Sequence, residues 1–197
     1  MVKKKYLVLP AVLVVAAAVV AAIQLWPSPL TDLRARNLCL GMLTEKTAGL
    51  LQDGKGGEVE VDEDGSGDSG TGATTSADPV FSTICFVGRK NPEGSGARLQ
   101  YTLDARPAEE LDEPAKGAVP VGDGRSGWVG PRQSEVRLPA GCATKMETNS
   151  PHVTVTLKVS PTVLVGRNWD DASLIKDSRT VILEAVDNLA EQYDCAA

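Results

Sequence analysis

The chain has 197 residues, a net charge of −6 at neutral pH and only 4% aromatic residues. This length suits one folded domain with a short accessory segment, and the low aromatic content requires a core of Val, Leu and Ala. The acidic balance excludes the concentrated basic face that nucleic-acid binding needs.

The first element is an uncharged segment, residues 6–26, which follows three lysines at residues 3–5. As a helix it spans the ~30 Å hydrocarbon core of a bilayer, whereas the apolar part of a signal peptide has about 7–15 residues. We therefore predict a cytoplasmic N-terminus (1–5), a transmembrane anchor (6–26) and an extracytoplasmic domain (27–197), with the lysines setting the orientation. Cleavage in the alanine-rich part, which would release a secreted domain, is the alternative.

The next segments are predicted to be a helix and an acidic loop. Residues 32–52 place Leu38, Met42, Leu43 and Leu50 toward one core, and Thr44 is a candidate N-cap after a bend. Residues 53–78 combine eight acidic residues and one lysine with many glycines and serines. Such a segment buries too little apolar surface to offset its ordering entropy, so we predict a flexible loop with at most a short strand at EVEV.

The rest of the chain predicts strands followed by one long helix. Residues 80–88 and 97–105 form a hairpin around NPEGSG, SGWVG and SEVRLPA are short strands, and 152–161 alternates apolar and polar residues. Asp170 or Asp171 caps the last helix, whose apolar stripe comprises Leu174, Ile175, Val181, Ile182, Ala185, Val186, Leu189 and Tyr193. The predicted fold class is α+β: an antiparallel sheet of about four or five strands with an N-terminal and a C-terminal helix on one face.

Four cysteines, Cys39, Cys85, Cys142 and Cys195, all lie beyond the apolar segment. Because exported proteins are in an oxidising environment, we expect the cysteines to form disulfides, and three pairings are possible. We favour Cys39–Cys85 with Cys142–Cys195, because each bridge then ties a helix to a nearby strand or loop. Zinc is not expected, since no CxxC pair exists and His152 is the only histidine.

Nucleotide binding is not expected from two G-x-G-x-x-G matches, at residues 65–70 and 122–127. The motif acts between a strand and a helix whose N-terminus holds a pyrophosphate. The first match lies in acidic sequence that repels phosphate, and the second runs into Trp128 and Pro131, which cannot begin a long helix. Trp128 itself is either a core residue or a contact residue projecting from a loop.

Three other patterns also lack their necessary partners. The acidic residues around Asp62 resemble the first half of an EF-hand loop, but the position of the bidentate glutamate holds Ala73. Ser173 and Lys176 match S-x-x-K without a K-T-G strand. His152 is predicted to be exposed at a strand end, and the carboxylates at 109–110 and 112–113 occupy a polar loop without the burial that acid–base catalysis needs. No catalytic residue, metal or cofactor is expected.

Taken together, the basic start, the apolar span, NLCLGML, TICF, LPAGC and the terminal YDCAA resemble small exported or membrane-anchored proteins of unknown function from high-GC actinobacteria. The resemblance transfers no catalytic residues. We expect a single-pass membrane protein with an extracytoplasmic binding domain, whose partner is another envelope protein or a cell-wall component. The alternatives are a secreted, inhibitor-like domain and an envelope hydrolase or its accessory.

Overall fold

The structure is a computed structural model that describes residues 29–65, 82–92, 94, 96–166 and 170–196. The predicted anchor at 6–26 and residues 66–78 of the predicted acidic loop at 53–78 lie outside these described residues. Within the described part of the chain, no helix is both long and apolar enough to span a membrane.

The fold is α+β, with one antiparallel sheet and five helices in the described ranges. The sheet has seven strands rather than the four or five predicted, in the spatial order β1-β2-β3-β7-β6-β5-β4. The strands are β1 (Val59–Gly65), β2 (Thr83–Lys90), β3 (Ala97–Ala108), β4 (Val119–Pro120), β5 (Gly127–Val129), β6 (Gln133–Arg137) and β7 (His152–Val159). The helices are α1 (Pro29–Arg36), α2 (Glu45–Ala48), α3 (Cys142–Lys145), α4 (Pro161–Gly166) and α5 (Asp171–Gln192).

The two strands beyond the predicted five are β1 and β4, one at each edge of the sheet. The acidic composition predicted a flexible loop with at most a short strand at EVEV, whereas β1 has seven residues. An edge strand tolerates this charge because one of its edges faces solvent, where charged residues also discourage pairing with another chain. The strand β4 has only two residues, Val119 and Pro120, and is too short for a periodic signal.

The predicted helix at 32–52 is present only in part, as α1 and α2, because the chain turns between them. Cys39 and Leu40 have left-handed φ values of 57° and 55°, which end a right-handed helix. Leu38 and Leu43 exchange backbone hydrogen bonds across this turn, so its apolar residues face the core without helical periodicity. The Thr44 cap is confirmed, since its side chain accepts the Thr47 N–H at the start of α2.

The C-terminal helix α5 is confirmed and covers one face of the sheet. Asp170 caps it by accepting the Ser173 N–H at 2.7 Å. Its predicted stripe is buried or packed against the core, and α5 contacts the strands β5, β6 and β7 and the helices α1 and α2.

The two disulfides have the favoured pairing, and each ties a helical or turn segment to another part of the described domain. Cys39 bonds to Cys85 on β2, and Cys142 at the start of α3 bonds to Cys195 just beyond α5. The second bridge ties the segment after α5 to the start of α3.

Candidate binding face of the sheet

The middle strand of the sheet, β7, is buried on both of its faces. Val153, Val155 and Leu157 belong to the core beneath α5, so Thr154 and Thr156 lie on the opposite face by strand alternation. We call that opposite face the outer face. Both threonines are almost completely buried there, with exposed fractions of 0% and 2%. A polar pair buried at the centre of a sheet needs hydrogen-bond partners or a functional explanation.

The strand register arranges the side chains around these threonines in three parallel rows. The arginine row comprises Arg106 on β3, Thr154 on β7 and Arg137 on β6. On the same three strands, the carboxylate row comprises Asp104, Thr156 and Glu135. The third row comprises Thr102, Lys158 and Gln133. Neighbours within a row are about 4.8 Å apart, and successive rows are ~6.8 Å apart along a strand. Two cationic side chains thus flank one threonine, and two carboxylates flank the next.

Both carboxyl groups of the carboxylate row have a raised pKa. Burial raises the pKa of Asp104, and the positive charges of Arg106 and Lys158 only partly oppose that shift. Burial also raises the pKa of Glu135, which is 1% exposed, although the Asp112 N–H donates to its Oε2 at 2.9 Å. The fold therefore keeps two carboxyl groups where their charged form is disfavoured.

Unsatisfied polar atoms are concentrated in these two rows. Within the described ranges, seven buried side-chain polar atoms lack a hydrogen-bond partner. Four of them belong here: Arg137 Nε and Thr154 Oγ1 in the arginine row, and Asp104 Oδ1 and Thr156 Oγ1 in the carboxylate row. Each such atom costs about 1–3 kcal/mol relative to a satisfied one. Four in adjacent positions therefore mark a site where the fold gives up stability.

Trp128 lies beside this face, next to Glu135 in the register of β5 and β6. It is 4% exposed, so most of its side chain is buried. Its Nε1–H donates to the Asp112 carbonyl at 3.1 Å, which fixes the loop over Glu135. Between that loop and the β4 edge is a cleft of ≈ 320 Å³, lined mainly by apolar groups that include Trp128, Pro114 and Pro120.

A second cavity of ≈ 540 Å³ lies at one end of the sheet and contains His152. The loop that carries the second G-x-G-x-x-G match forms part of its wall through Gly124 and Arg125, and Arg125 pairs with Asp187 of α5 at 2.6 Å. His152 is partly buried, not exposed as predicted. The loop leads into β5 and not into a helix, so it lacks the geometry of a dinucleotide-binding turn.

The remaining motifs are dispersed. Ser173 lies in the first turn of α5, where its N–H donates to the cap of that helix, and Lys176 is exposed. Asp62 lies on β1, not in a calcium-type loop. The carboxylates at 109–110 and 112–113 are exposed, and no helical turn forms there. Among the described residues, no cluster of three or more His, Cys, Asp or Glu side chains is arranged to hold a metal.

The central residues of the outer face are those that the sequence reasoning missed. Asp104 and Glu135 occupy alternating polar positions of strands, which ordinarily face solvent. In the predicted strands both lie next to a strand end, so no sequence signal marked them, and only the strand order brings β3, β7 and β6 together.

The arginine row offers hydrogen-bond donors, and the carboxylate row offers hydrogen-bond acceptors. The arginine row can bind an anionic group, and the carboxylate row can bind a cationic one or exchange a proton. No protein-family model, curated protein or solved structure matches this chain, so the function must be argued from this geometry.

Proposed function

We propose that this chain is a single-pass membrane protein whose extracytoplasmic α+β domain binds a component of the cell envelope through its outer face. The observation that carries the binding proposal is the group of unsatisfied buried polar atoms in the arginine and carboxylate rows. Native folds satisfy nearly all such atoms, and exceptions concentrate where a ligand or a reaction uses them.

The location outside the cytoplasm is supported by covalent chemistry. All four cysteines are paired in two disulfides. Disulfides of this structural kind persist in oxidising compartments and are rare in the cytosol. The apolar segment at 6–26, with its preceding lysines, supplies both the route of export and the tether.

An envelope hydrolase is the second candidate, and the carboxylate row is the observation that favours it. Asp104 and Glu135 flank Thr156 on neighbouring strands, and both have raised pKa values. A carboxyl group whose pKa is raised by burial can act as a general acid near neutral pH. Binding is preferred because a loop covers Glu135 and its N–H at Asp112 occupies one carboxylate oxygen.

The tether is tested on the full-length chain in a host that exports it. We expect the protein to remain in membranes after an alkaline carbonate wash, and protease added to spheroplasts to digest the domain. Mass spectrometry of the membrane-bound protein is expected to find the N-terminal lysines still attached.

Two other results would contradict the tether. A soluble mature chain that begins near Ala22 or Ile23 would identify a secreted domain released by cleavage. A domain that resists external protease in spheroplasts, but not after lysis, would place the domain in the cytoplasm.

A further inference from the structure

The structure assigns to the outer face a zwitterionic ligand, one whose anionic group binds in the arginine row and whose ammonium group binds in the carboxylate row. This inference rests on the proposed binding function of the outer face and specifies the chemistry of its ligand. It does not depend on the membrane tether, which a separate experiment tests.

The unsatisfied atoms are divided between the rows in the way that such a ligand requires. In the arginine row, Arg137 Nε–H is a donor without an acceptor, while the Thr154 hydroxyl lies at the Glu135 carboxylate, whose pKa it lowers. In the carboxylate row, Asp104 Oδ1 and the Thr156 hydroxyl oxygen can accept. A carboxylate over Thr154 and an ammonium over Thr156 would satisfy Arg137 Nε, Asp104 Oδ1 and Thr156 Oγ1, with each charge placed between two opposite charges.

The neighbouring groups strengthen this division. Arg106 and Arg137 flank Thr154, so an anion there meets two guanidinium groups. Asp104 and Glu135 flank Thr156, so an ammonium there would stabilise two carboxylates that burial now disfavours. A ligand with only one charge would satisfy one row and leave the other as it is.

Access to the threonines from the β3 side requires side-chain motion, whereas the loop that carries Asp112 covers Glu135 on the other side. Arg106 and Lys158 are the exposed residues that border the two threonines on β3 and β7. Arg106 makes only a 3.5 Å contact with the exposed Asp112. Exposed side chains change rotamer within nanoseconds, so both can swing outward to admit a small ligand.

The row spacing sets the distance between the charges of the ligand. Thr154 and Thr156 are two residues apart on one strand, ~6.8 Å along its axis. Three consecutive bonds of an extended chain advance about 3.6 Å, so five bonds between the nitrogen and the carboxyl carbon span roughly 6 Å. An amino acid with an amine at the end of four methylene groups, 5-aminopentanoate, has that spacing. Glycine is far too short.

The experiment titrates four probes into the full-length chain, labelled with ¹⁵N-threonine, in detergent micelles. The probes are 5-aminopentanoate, glycine, pentanoate and pentylammonium, the last two being matched in length but singly charged. We expect 5-aminopentanoate to shift the amide signals of Thr154 and Thr156 at a concentration at least tenfold below that of each other probe.

A double substitution, Thr154→Val with Thr156→Val, separates binding from folding. It removes two hydroxyls that lack partners and keeps their shape, so we expect equal or higher thermal stability with at least tenfold weaker binding. Thr102→Val, on the same face in the third row, is the matched control and is expected to bind as the native chain does.

Three results would overturn the inference. The first is equal binding of the singly charged probes. The second is undiminished binding by the Thr154→Val, Thr156→Val chain. The third is no binding of 5-aminopentanoate by the correctly folded native chain. If the probes fail while the protein still behaves as an exported membrane protein, the zwitterion assignment fails and the tether stands.

Discussion

At the scale of single residues, Asp53 shows how the fold accommodates a buried charge when partners are present. Its side chain is 1% exposed and accepts from Arg98 Nε at 2.8 Å and from the Lys55 N–H at 3.0 Å. Its own N–H donates to Gln100 Oε1 at 2.7 Å. The hydrogen bond from Arg98 is the main reason that the pKa of Asp53 is lowered from 3.8. The pKa values of Asp104 and Glu135 are raised instead, because the effect of burial outweighs that of their partners.

We predict that Asp53→Asn lowers the melting temperature at neutral pH by about 5 °C, because the ion pair with Arg98 and its charge-assisted hydrogen bond are lost. The matched control is Glu58→Gln, which breaks an exposed pair with Lys90. Exposed pairs contribute little, so the control is expected to melt like the native chain. An equal effect of both substitutions, measured by circular dichroism, would contradict the account.

The pH dependence of this difference follows from the lowered pKa. A carboxyl group whose pKa is lower in the folded state stabilises the fold above its unfolded value and loses that contribution as pH falls through the folded value. The melting-temperature gap between the native chain and Asp53→Asn should therefore be constant near neutrality and close below 3.8. If the melting-temperature difference between the native chain and Asp53→Asn became larger in acid, it would contradict a lowered pKa of Asp53.

At the scale of elements, a single carboxylate joins the N-terminal segment to the long helix. Glu184 on α5 accepts from the Thr44 N–H at 2.7 Å, from the Thr44 hydroxyl at 2.8 Å and from the Thr47 hydroxyl. These groups lie at the N-terminus of α2, where unpaired N–H donors favour a negative charge. Contacts this distant in sequence stabilise the fold without being visible as a local pattern.

We predict that Glu184→Ala destabilises the domain by about 2 kcal/mol, since several hydrogen bonds to a charged acceptor are lost together. Glu191→Ala, at an exposed position of the same helix, is the control and should unfold at the native urea concentration. Hydrogen exchange should also quicken at residues 44–48 in Glu184→Ala alone. Unchanged urea midpoints would contradict the role assigned to Glu184.

The elements also show which parts of this fold are readable in the sequence. The apolar stripe and the Asp170 cap predict α5, and alternation predicts β2, β3 and β7, because these signals are local. A bend before the Thr44 cap was predicted, but the turn at Cys39 and Leu40 was not, since it depends on the bond from Cys39 to Cys85 and on the Leu38–Leu43 pairing. The disulfide pairing itself follows from joining each helix to a nearby strand or loop.

The candidate binding face was not readable in the same way. Asp104 and Glu135 are separated by 31 positions in sequence, and neither belongs to a motif. Their juxtaposition depends on β7 inserting between β3 and β6, which is a property of strand order. Alternation assigned Thr154 and Thr156 correctly to the polar face of β7, but it could not show that this face is buried at the centre of the sheet.

At the scale of the whole molecule, stability and binding act in opposite directions. The inner face, the two disulfides and α5 provide a closed core. The outer face keeps unsatisfied hydroxyls and disfavoured carboxylates at the middle of the same sheet. A fold under selection for stability alone would replace these groups, whereas a binding site retains them. The central claim is therefore that this face is maintained for a ligand.

The most direct test of this claim is the thermal stability of the double substitution Asp104→Asn, Glu135→Gln. Because both carboxyl groups have raised pKa values, they favour the fold below their ordinary values and lose that contribution as pH rises through the folded values. We predict that the double variant melts several degrees above the native chain at neutral pH, that the gap closes below pH about 4, and that binding of 5-aminopentanoate weakens. A variant that melts below the native chain at neutral pH would show a structural polar network and contradict the claim.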